Sequence, residues 1–199
     1  LLGHHGLVVF ESSDPAGRAL VKDVFAHELA DPGLTSRLAR AAGAAMHSIG
    51  HKPQVEPAGD SVALFYVDTE GRRPIKRQGN ELLIETTTRT REELRAEALA
   101  NPERFSPNVL LRPLVQHRLF PTICYVAGPS ELAYQAQLGD VYREFRIEPP
   151  LLYSRGSATL LDPPAAGFLE RNHFPFESLQ AQDESALNQF LDQQLPPQI

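Results

Sequence analysis

Residues 122–153 constrain the fold most, because they alternate strand, turn, helix and strand patterns. Thr122–Ala127 is a short apolar run typical of a buried strand, and Leu151–Tyr153 is a second candidate. Between them, the Gly-Pro-Ser-Glu sequence at 128–131 predicts a turn into a helix that runs to about Phe145. Strand, helix and strand in this order form a parallel βαβ unit. The sequence therefore predicts an α/β fold with an open parallel sheet.

The first fifty residues predict one strand and two helices of the same α/β fold. Leu7–Phe10 is a continuous apolar run, typical of a strand buried in a parallel sheet. Asp14 is a suitable N-cap and Pro15 a suitable first helical residue, so we expect a helix to begin there. A second helix is predicted over Leu34–Ile49, where Gly50 ends it.

The pattern changes after Lys52. Ser61–Asp68 and Glu81–Glu85 predict short strands, and the polar stretch Thr69–Asn80 is interpreted as the connection between them. These features predict a small antiparallel insertion. A helix is predicted over Thr90–Ala100.

Residues 105–119 are predicted to be helical in pieces, with Pro113 as a break. After Pro163 and Pro164 the chain becomes polar and rich in glutamine, with one short helix predicted over Glu184–Leu191. We therefore divide the chain into a first core segment (1–51), a connecting insertion (52–104), a second core segment (105–165) and a polar helical tail (166–199).

Composition excludes several classes of function. The net charge of −6 argues against sequence-independent binding of nucleic acid. No apolar stretch is long enough to span a membrane. Cys124 is the only cysteine, which excludes an intrachain disulfide and a cysteine-ligated zinc and fits a reducing cytoplasm. Because the chain begins at Leu1 without an initiator methionine and continues into an apolar run, we expect it to be a piece of a longer protein.

Three features predict an anion site. In an open α/β sheet, the turn at Gly128 and Pro129 would present helix N–H groups to a ligand, although Glu131 could equally be a simple helix cap. Arg112 lies in an apolar run, and its planar guanidinium group can bind a carboxylate or phosphate through two N–H groups. The alternative is a structural ion pair or an outward-pointing side chain. Arg155 follows a predicted strand, and solvation at the surface is its alternative.

Other polar residues are candidate ligands. Tyr134 and Gln137 are expected to share a helix face with Glu131 and so to line one wall of a pocket. His47 and His51 have metal-capable spacing, but Gly50 lies between them and no acidic third ligand is evident, so no metal site is predicted.

A long ordered set of residues within 105–157 matches the pattern of a known family: Phe105-Ser106-Pro107-Asn108-Val109-Leu110-Leu111-Arg112-Pro113-Leu114-Val115-Gln116, Pro121-Thr122, Tyr125-Val126, Gly128-Pro129, Glu131, Ala133-Tyr134 and Ala136-Gln137-Leu138. In these residues the chain resembles the bacillithiol-biosynthesis cysteine-adding enzymes, the BshC family. The likeness covers most of the chain and weakens after about residue 165. Two positions depart from the pattern: His117 replaces an expected acidic residue, and Ala127 replaces an expected glycine.

The resemblance implies a Rossmann-like ligase core with insertions, in an enzyme that pairs as a homodimer through a long coiled coil. The implied reaction joins cysteine to glucosaminyl-malate as an amide, and ATP is the expected source of activation. Part of the site would lie outside this chain, so no catalytic residue is assigned and the piece alone is expected to be inactive. The expected substrate-binding residues are Asn108, Arg112, Gln116, Gly128, Pro129, Glu131, Tyr134, Gln137, Arg155 and Ser157.

Two alternatives remain open from the sequence. The chain could belong to another nucleotide-dependent transferase or ligase on the same kind of sheet. It could also be a non-catalytic α/β module that binds an acidic metabolite.

Overall fold

The computed structural model describes residues 3–7, 9–181 and 185–194. They divide into two compact units, one ending at Gly156 and the other beginning at Ser157. No helix among the described residues is long and apolar enough to cross a membrane.

The first unit contains two sheets. The larger has the strand order β4-β3-β2-β1-β5, with every neighbouring pair antiparallel. The smaller pairs β6 with β7 in parallel. The strands are β1 (Ser61–Asp68), β2 (Gly71–Gln78), β3 (Glu81–Ile84), β4 (Thr87–Arg89), β5 (Phe105–Pro107), β6 (Cys124–Ala127) and β7 (Leu151–Ser154).

Helices surround the larger sheet and connect the strands of the smaller one. Those of the first unit are α1 (Pro15–Ala19), α2 (Lys22–Ala30), α3 (Leu34–Ser48), α4 (Arg91–Ala100), α5 (Arg112–Leu119), α6 (Pro129–Ala136) and α7 (Gly139–Glu144), with short 3-10 turns at Gly3–His5 and Pro102–Arg104.

The second unit is small, and its described elements are helical. It contains α8 (Pro163–Arg171), a 3-10 turn (Phe176–Ala181) and α9 (Ser185–Gln194). The rings of Phe168 and Phe174 pack edge-on against Phe190, with centroid distances of 6.0 and 5.3 Å. The position Glu184, where a helix was predicted to begin, lies outside the described residues.

The prediction that the core is a parallel sheet is wrong in its extent, since the main sheet is antiparallel. Most of Thr69–Asn80, interpreted as a connection, forms β2. Ile75 is the one buried side chain of β2. The other residues of the strand are partly or fully exposed, which is possible because an antiparallel sheet can expose one face to water. Phe105–Pro107, predicted as helix, pairs with β1 because Phe105 and Ser106 are buried there.

Leu7–Phe10 is not a strand in the described residues 7, 9 and 10. An apolar run alone does not distinguish a buried strand from other apolar packing. Val9 is 86% exposed, whereas Phe10 is 39% exposed, and the Phe10 ring lies 5.1 Å from that of Phe120 and against Gly17. A Cβ at Gly17 would lie 2.5 Å from the Phe10 ring, so glycine permits this contact.

The predicted parallel βαβ unit is confirmed in residues 124–154, where Cys124 pairs with Leu151 and Ala127 with Ser154. Its helix is interrupted between α6 and α7. Pro113 was expected to break a helix, but it lies in the first turn of α5, where a proline costs no hydrogen bond.

Predicted helix starts are also confirmed. The Asp14 side chain accepts from the Ala16 N–H at 2.9 Å, and Thr90 forms a capping box with Glu93.

The core lies between the larger sheet and helices α2, α4 and α5. Its fully buried side chains include Phe25, Leu29, Leu64, Ile75, Leu82, Leu94, Phe105, Leu110, Leu111 and Leu114.

Glu28 is a carboxylate with no exposed surface, at the junction of α2, α3 and β1. Its Oε1 accepts from the backbone N–H groups of Gly33 (3.1 Å) and Ala63 (3.0 Å). Its Oε2 accepts from the Thr35 N–H (3.2 Å) and hydroxyl (2.6 Å). Burial raises the pKa of Glu28, and the four donors oppose that shift. Glu28 therefore satisfies three buried N–H groups that would otherwise lack partners.

Replacing Glu28 with glutamine should lower the free energy of unfolding by about 2 kcal/mol, because the amide NH₂ places a donor against at least one buried N–H. The measurement is denaturant unfolding at pH 7. E56Q, at an exposed glutamate, is the matched control and should change little. Equal stability of E28Q and E56Q would contradict the role given to Glu28.

The E28Q variant also gives a test of pH dependence. Because the folded-state pKa of Glu28 is raised, folding favours its protonated form, in which the Thr35 hydroxyl can become the acceptor. The stability advantage of wild type over E28Q should therefore decrease as pH rises from the ordinary range of a glutamate through the folded pKa. A stability advantage that grows with pH would show that the hydrogen bonds outweigh desolvation.

Candidate functional site

A cleft of about 560 Å³ opens between α1, β2, β5 and α5, a volume typical of small-molecule sites. Three arginines line it: Arg18 from α1, Arg72 from β2 and Arg112 from the first position of α5. No described aspartate or glutamate lines it. Its apolar wall consists of Phe10, Val21, Phe25, Val109, Val115, Leu119 and Phe120. The cleft thus combines positive charge with an apolar surface.

Asn108 fixes the start of α5 at the edge of this cleft. Its backbone N–H donates to the Ala63 carbonyl at 2.9 Å, which ties it to β1. Its side-chain oxygen accepts from the N–H groups of Leu110 (2.9 Å) and Leu111 (3.2 Å). Asn108 is therefore a capping residue as well as a lining residue.

Arg112 is exposed, as in the alternative of an outward-pointing side chain. Its apolar neighbours turn into the core while Arg112 faces the cleft, where its Nη1 donates to Gln116 Oε1 at 3.0 Å. The first turn of α5 contains no acidic residue. A cation at the positive end of a helix dipole is unfavourable. An anion bound beside Arg112 would interact favourably with both the guanidinium and the helix dipole.

The start of α6 already holds a carboxylate of this chain. Glu131 Oε2 accepts from the Gly128 N–H at 2.8 Å, and its Oε1 accepts from the Tyr125 hydroxyl at 3.1 Å. The Gly128 hydrogen bond, followed by the Tyr125 bond, lowers the pKa of Glu131. Arg155 Nη2 lies 3.9 Å from the same carboxylate. The helix-cap alternative for Glu131 is therefore what the structure shows.

Gly128 and Pro129 shape this start. Pro129 is the first residue of α6, where its missing N–H has no consequence. A Cβ at Gly128 would lie 2.7 Å from Arg155 Nη2, so the absent side chain leaves room for that guanidinium. The Arg155 backbone N–H donates to the Ala127 carbonyl at 2.8 Å, which holds it at the end of the parallel pair.

Tyr134 and Gln137 have different surroundings, although both were expected on one pocket wall. The Tyr134 hydroxyl donates to the Val109 carbonyl, and burial raises the pKa of Tyr134 to about 12. Gln137 is fully buried. Its Oε1 accepts from the N–H groups of Gln54 (2.8 Å) and Val55 (3.0 Å), and its Nε2 donates to the Val55 carbonyl at 2.9 Å. Gln137 thus holds the chain before β1.

The structure groups the expected residues in two places. Asn108, Arg112 and Gln116 line the cleft. Gly128, Pro129, Glu131 and Arg155 gather at the start of α6, while Gln137 is directed elsewhere and Ser157 belongs to the second unit. Tyr125 connects the two groups, because it bonds Glu131 and lines a small cavity shared with Arg112 and Gln116.

Comparison with known proteins decides the family. The family model described as "Bacillithiol biosynthesis BshC, N-terminal Rossmann-like domain" matches residues 1–156, the extent of the first unit. The chain belongs to the BshC family. The resemblance drawn from residues 105–157 is thereby confirmed.

Relatives named cysteine ligase BshC match much or all of the chain. The protein of Koribacter versatilis is 32% identical over all 199 residues, which are 37% of its own length. That of Salinibacter ruber is 38% identical over 79% of the chain and 29% of its length. That of Geobacillus kaustophilus is 36% identical over 81% of the chain and 30% of its length. The chain thus spans about a third of the BshC relatives it matches.

Three residues of the site were missed in the sequence. Arg72 lies in a stretch interpreted as a connection, and Arg18 on a helix face that only the tertiary fold directs to the cleft. Tyr125 matched the family pattern but was not proposed as a site residue. Gly79-Asn80, which precedes Glu81, is a hairpin signal that could have identified β2 as a strand and so placed Arg72 on it. Among residues 3–7, 9–181 and 185–194 there is no group of three or more side chains suited to a metal.

Replacing Tyr125 with phenylalanine should raise the pKa of Glu131 towards its ordinary value, because one of the hydrogen bonds that favour the carboxylate is lost. The Gly128 bond remains, so the shift should be partial. The measurement is a carboxyl-carbon NMR titration. Y153F, at an exposed tyrosine, is the control; identical Glu131 titrations in Y125F and Y153F would contradict the assigned contact.

Proposed function

We propose that this chain supplies part of the substrate site of a ligase that joins cysteine to glucosaminyl-malate in bacillithiol biosynthesis. The names of the BshC relatives support a cysteine ligase. The observation that carries the proposal is the cleft with Arg18, Arg72 and Arg112 and no described carboxylate on its walls. A malyl group, with two carboxylates, is complementary to such a surface.

Within this proposal, Arg112 binds a malyl carboxylate with its free guanidinium N–H groups. Gln116 holds the Arg112 side chain from one side, and Asn108 fixes the helix start from which it extends. Tyr134 supports the same segment through the Val109 carbonyl. The preformed arrangement reduces the ordering required on binding.

The group at the start of α6 suits the other reactant. The Glu131 carboxylate, with Arg155 and the Gly128 N–H beside it, would orient an amino group rather than deprotonate it, because its pKa is lowered. Pro129 keeps the helix start rigid. Ser157 follows Arg155 closely in sequence, and we retain it as a proposed substrate-binding residue.

Amide formation from a carboxylate and an amine in water is unfavourable, so ATP is the proposed source of carboxylate activation. No glycine-rich phosphate loop is present in the sequence, and the arginines of the cleft are the residues that would hold phosphate oxygens. We further propose that the intact enzyme is a cytoplasmic homodimer and that this chain alone has no ligase activity.

Arg112→Ala in the intact protein should raise KM for glucosaminyl-malate about tenfold or more, because a charge-assisted hydrogen bond contributes about 1.5–3 kcal/mol. The measurement is steady-state formation of the cysteine amide. Arg95→Ala is the control, since Arg95 is an exposed arginine of α4 that does not line the cleft. Kinetics unchanged in both variants would remove Arg112 from the substrate site.

A second function is favoured by the same cleft, because arginines bind phosphate as well as carboxylate. The protein would then be another nucleotide-dependent transferase. Thermal stabilisation of the intact protein by nucleotide, with no effect of glucosaminyl-malate, would favour this function over the ligase. A non-catalytic anion-binding module would bind the anions without any turnover.

A further inference from the structure

Arg18 and Arg72 are two neighbouring cations that line the cleft. Burial, followed by the charge of Arg72, lowers the pKa of Arg18, and Glu103 offsets only part of that effect. No described carboxylate forms a salt bridge with either guanidinium. Two like charges held together without a counterion are unfavourable.

Backbone carbonyls hold both side chains in place. Arg18 Nη1 donates to the Glu103 carbonyl. Arg72 Nη2 donates to the Pro107 carbonyl at 3.1 Å, and the Arg72 guanidinium lies over the Phe65 ring, 4.4 Å from its centroid. These contacts fix the two guanidinium groups while using few of their five donors.

The unused donors include a buried one. Arg18 Nε is shielded from solvent and has no hydrogen-bond partner in the described structure. An unsatisfied buried donor is costly, and burial beside an apolar wall strengthens any ionic contact that forms there. The arrangement therefore favours a ligand that brings two negative charges and several acceptor oxygens.

We propose that Arg18 and Arg72, together with Arg112 of the same cleft, form a subsite for a compact dianion, either a dicarboxylate or a phosphate group. The identity of the natural ligand rests on the proposed function, because that function supplies two dianionic groups, the malyl group and a phosphate of ATP. Binding of a dianion as such does not depend on it.

The test is calorimetric titration of the intact protein with malate, with inorganic phosphate and with acetate as a monoanion. Wild type should bind malate or phosphate more tightly than acetate, with an affinity that falls as salt is added. R18Q and R72Q should each weaken that binding about tenfold or more, because each loses a charge-assisted hydrogen bond. R95Q should bind as wild type does.

The conservative variants R18K and R72K separate charge from geometry and guard against misfolding. Each keeps the charge but loses the planar fork, so its affinity should lie between that of wild type and that of the glutamine variant. If these variants weaken the binding of malate, the ligand of the subsite is a dicarboxylate. If they weaken the binding of phosphate instead, the ligand is a phosphoryl group.

Two results would overturn the subsite: wild type that binds neither dianion, or R18Q and R72Q that bind both as wild type does while melting normally. Failure of the proposed function would look different. In that case the dianion would still bind through Arg18 and Arg72, but the intact protein would form no amide from cysteine and glucosaminyl-malate.

Discussion

The buried carboxylate of Glu28 is the interaction on which the rest of the first unit depends. It accepts the Ala63 N–H of β1, and the Ala63 carbonyl on the same residue accepts the Asn108 N–H. Asn108 in turn caps α5, whose first residue is Arg112. A continuous series of hydrogen bonds therefore runs from the core to the wall of the cleft. This link explains how an exposed arginine can hold a defined position.

The structure changes which helix start is open to an anion. The turn at Gly128 was the expected place, but Glu131 already accepts the Gly128 N–H and is flanked by Arg155. At α5 the first turn has no acidic residue and carries Arg112 instead. The two starts therefore differ, because a carboxylate already accepts an N–H group at α6, whereas the first turn of α5 holds no carboxylate of its own.

Local signals in the sequence predicted local structure well. The Asp14 N-cap, the helix that begins after Thr90 and the proline at the start of α6 depend on neighbouring residues, and these predictions are confirmed. Strand β2 was missed although it pairs with its chain neighbours β1 and β3. Ile75 is its one buried side chain, so its residues do not form the apolar pattern by which the other strands were identified. Arg72 was missed for the same reason.

The most direct test of the cleft as the substrate site is a crystal structure of the intact protein with glucosaminyl-malate bound. The malyl carboxylates should lie in the cleft, within hydrogen-bond distance of Arg112 and of Arg18 or Arg72. A malyl group bound elsewhere, with the three guanidinium groups making no contact to it, would contradict the assignment of the cleft as the substrate site.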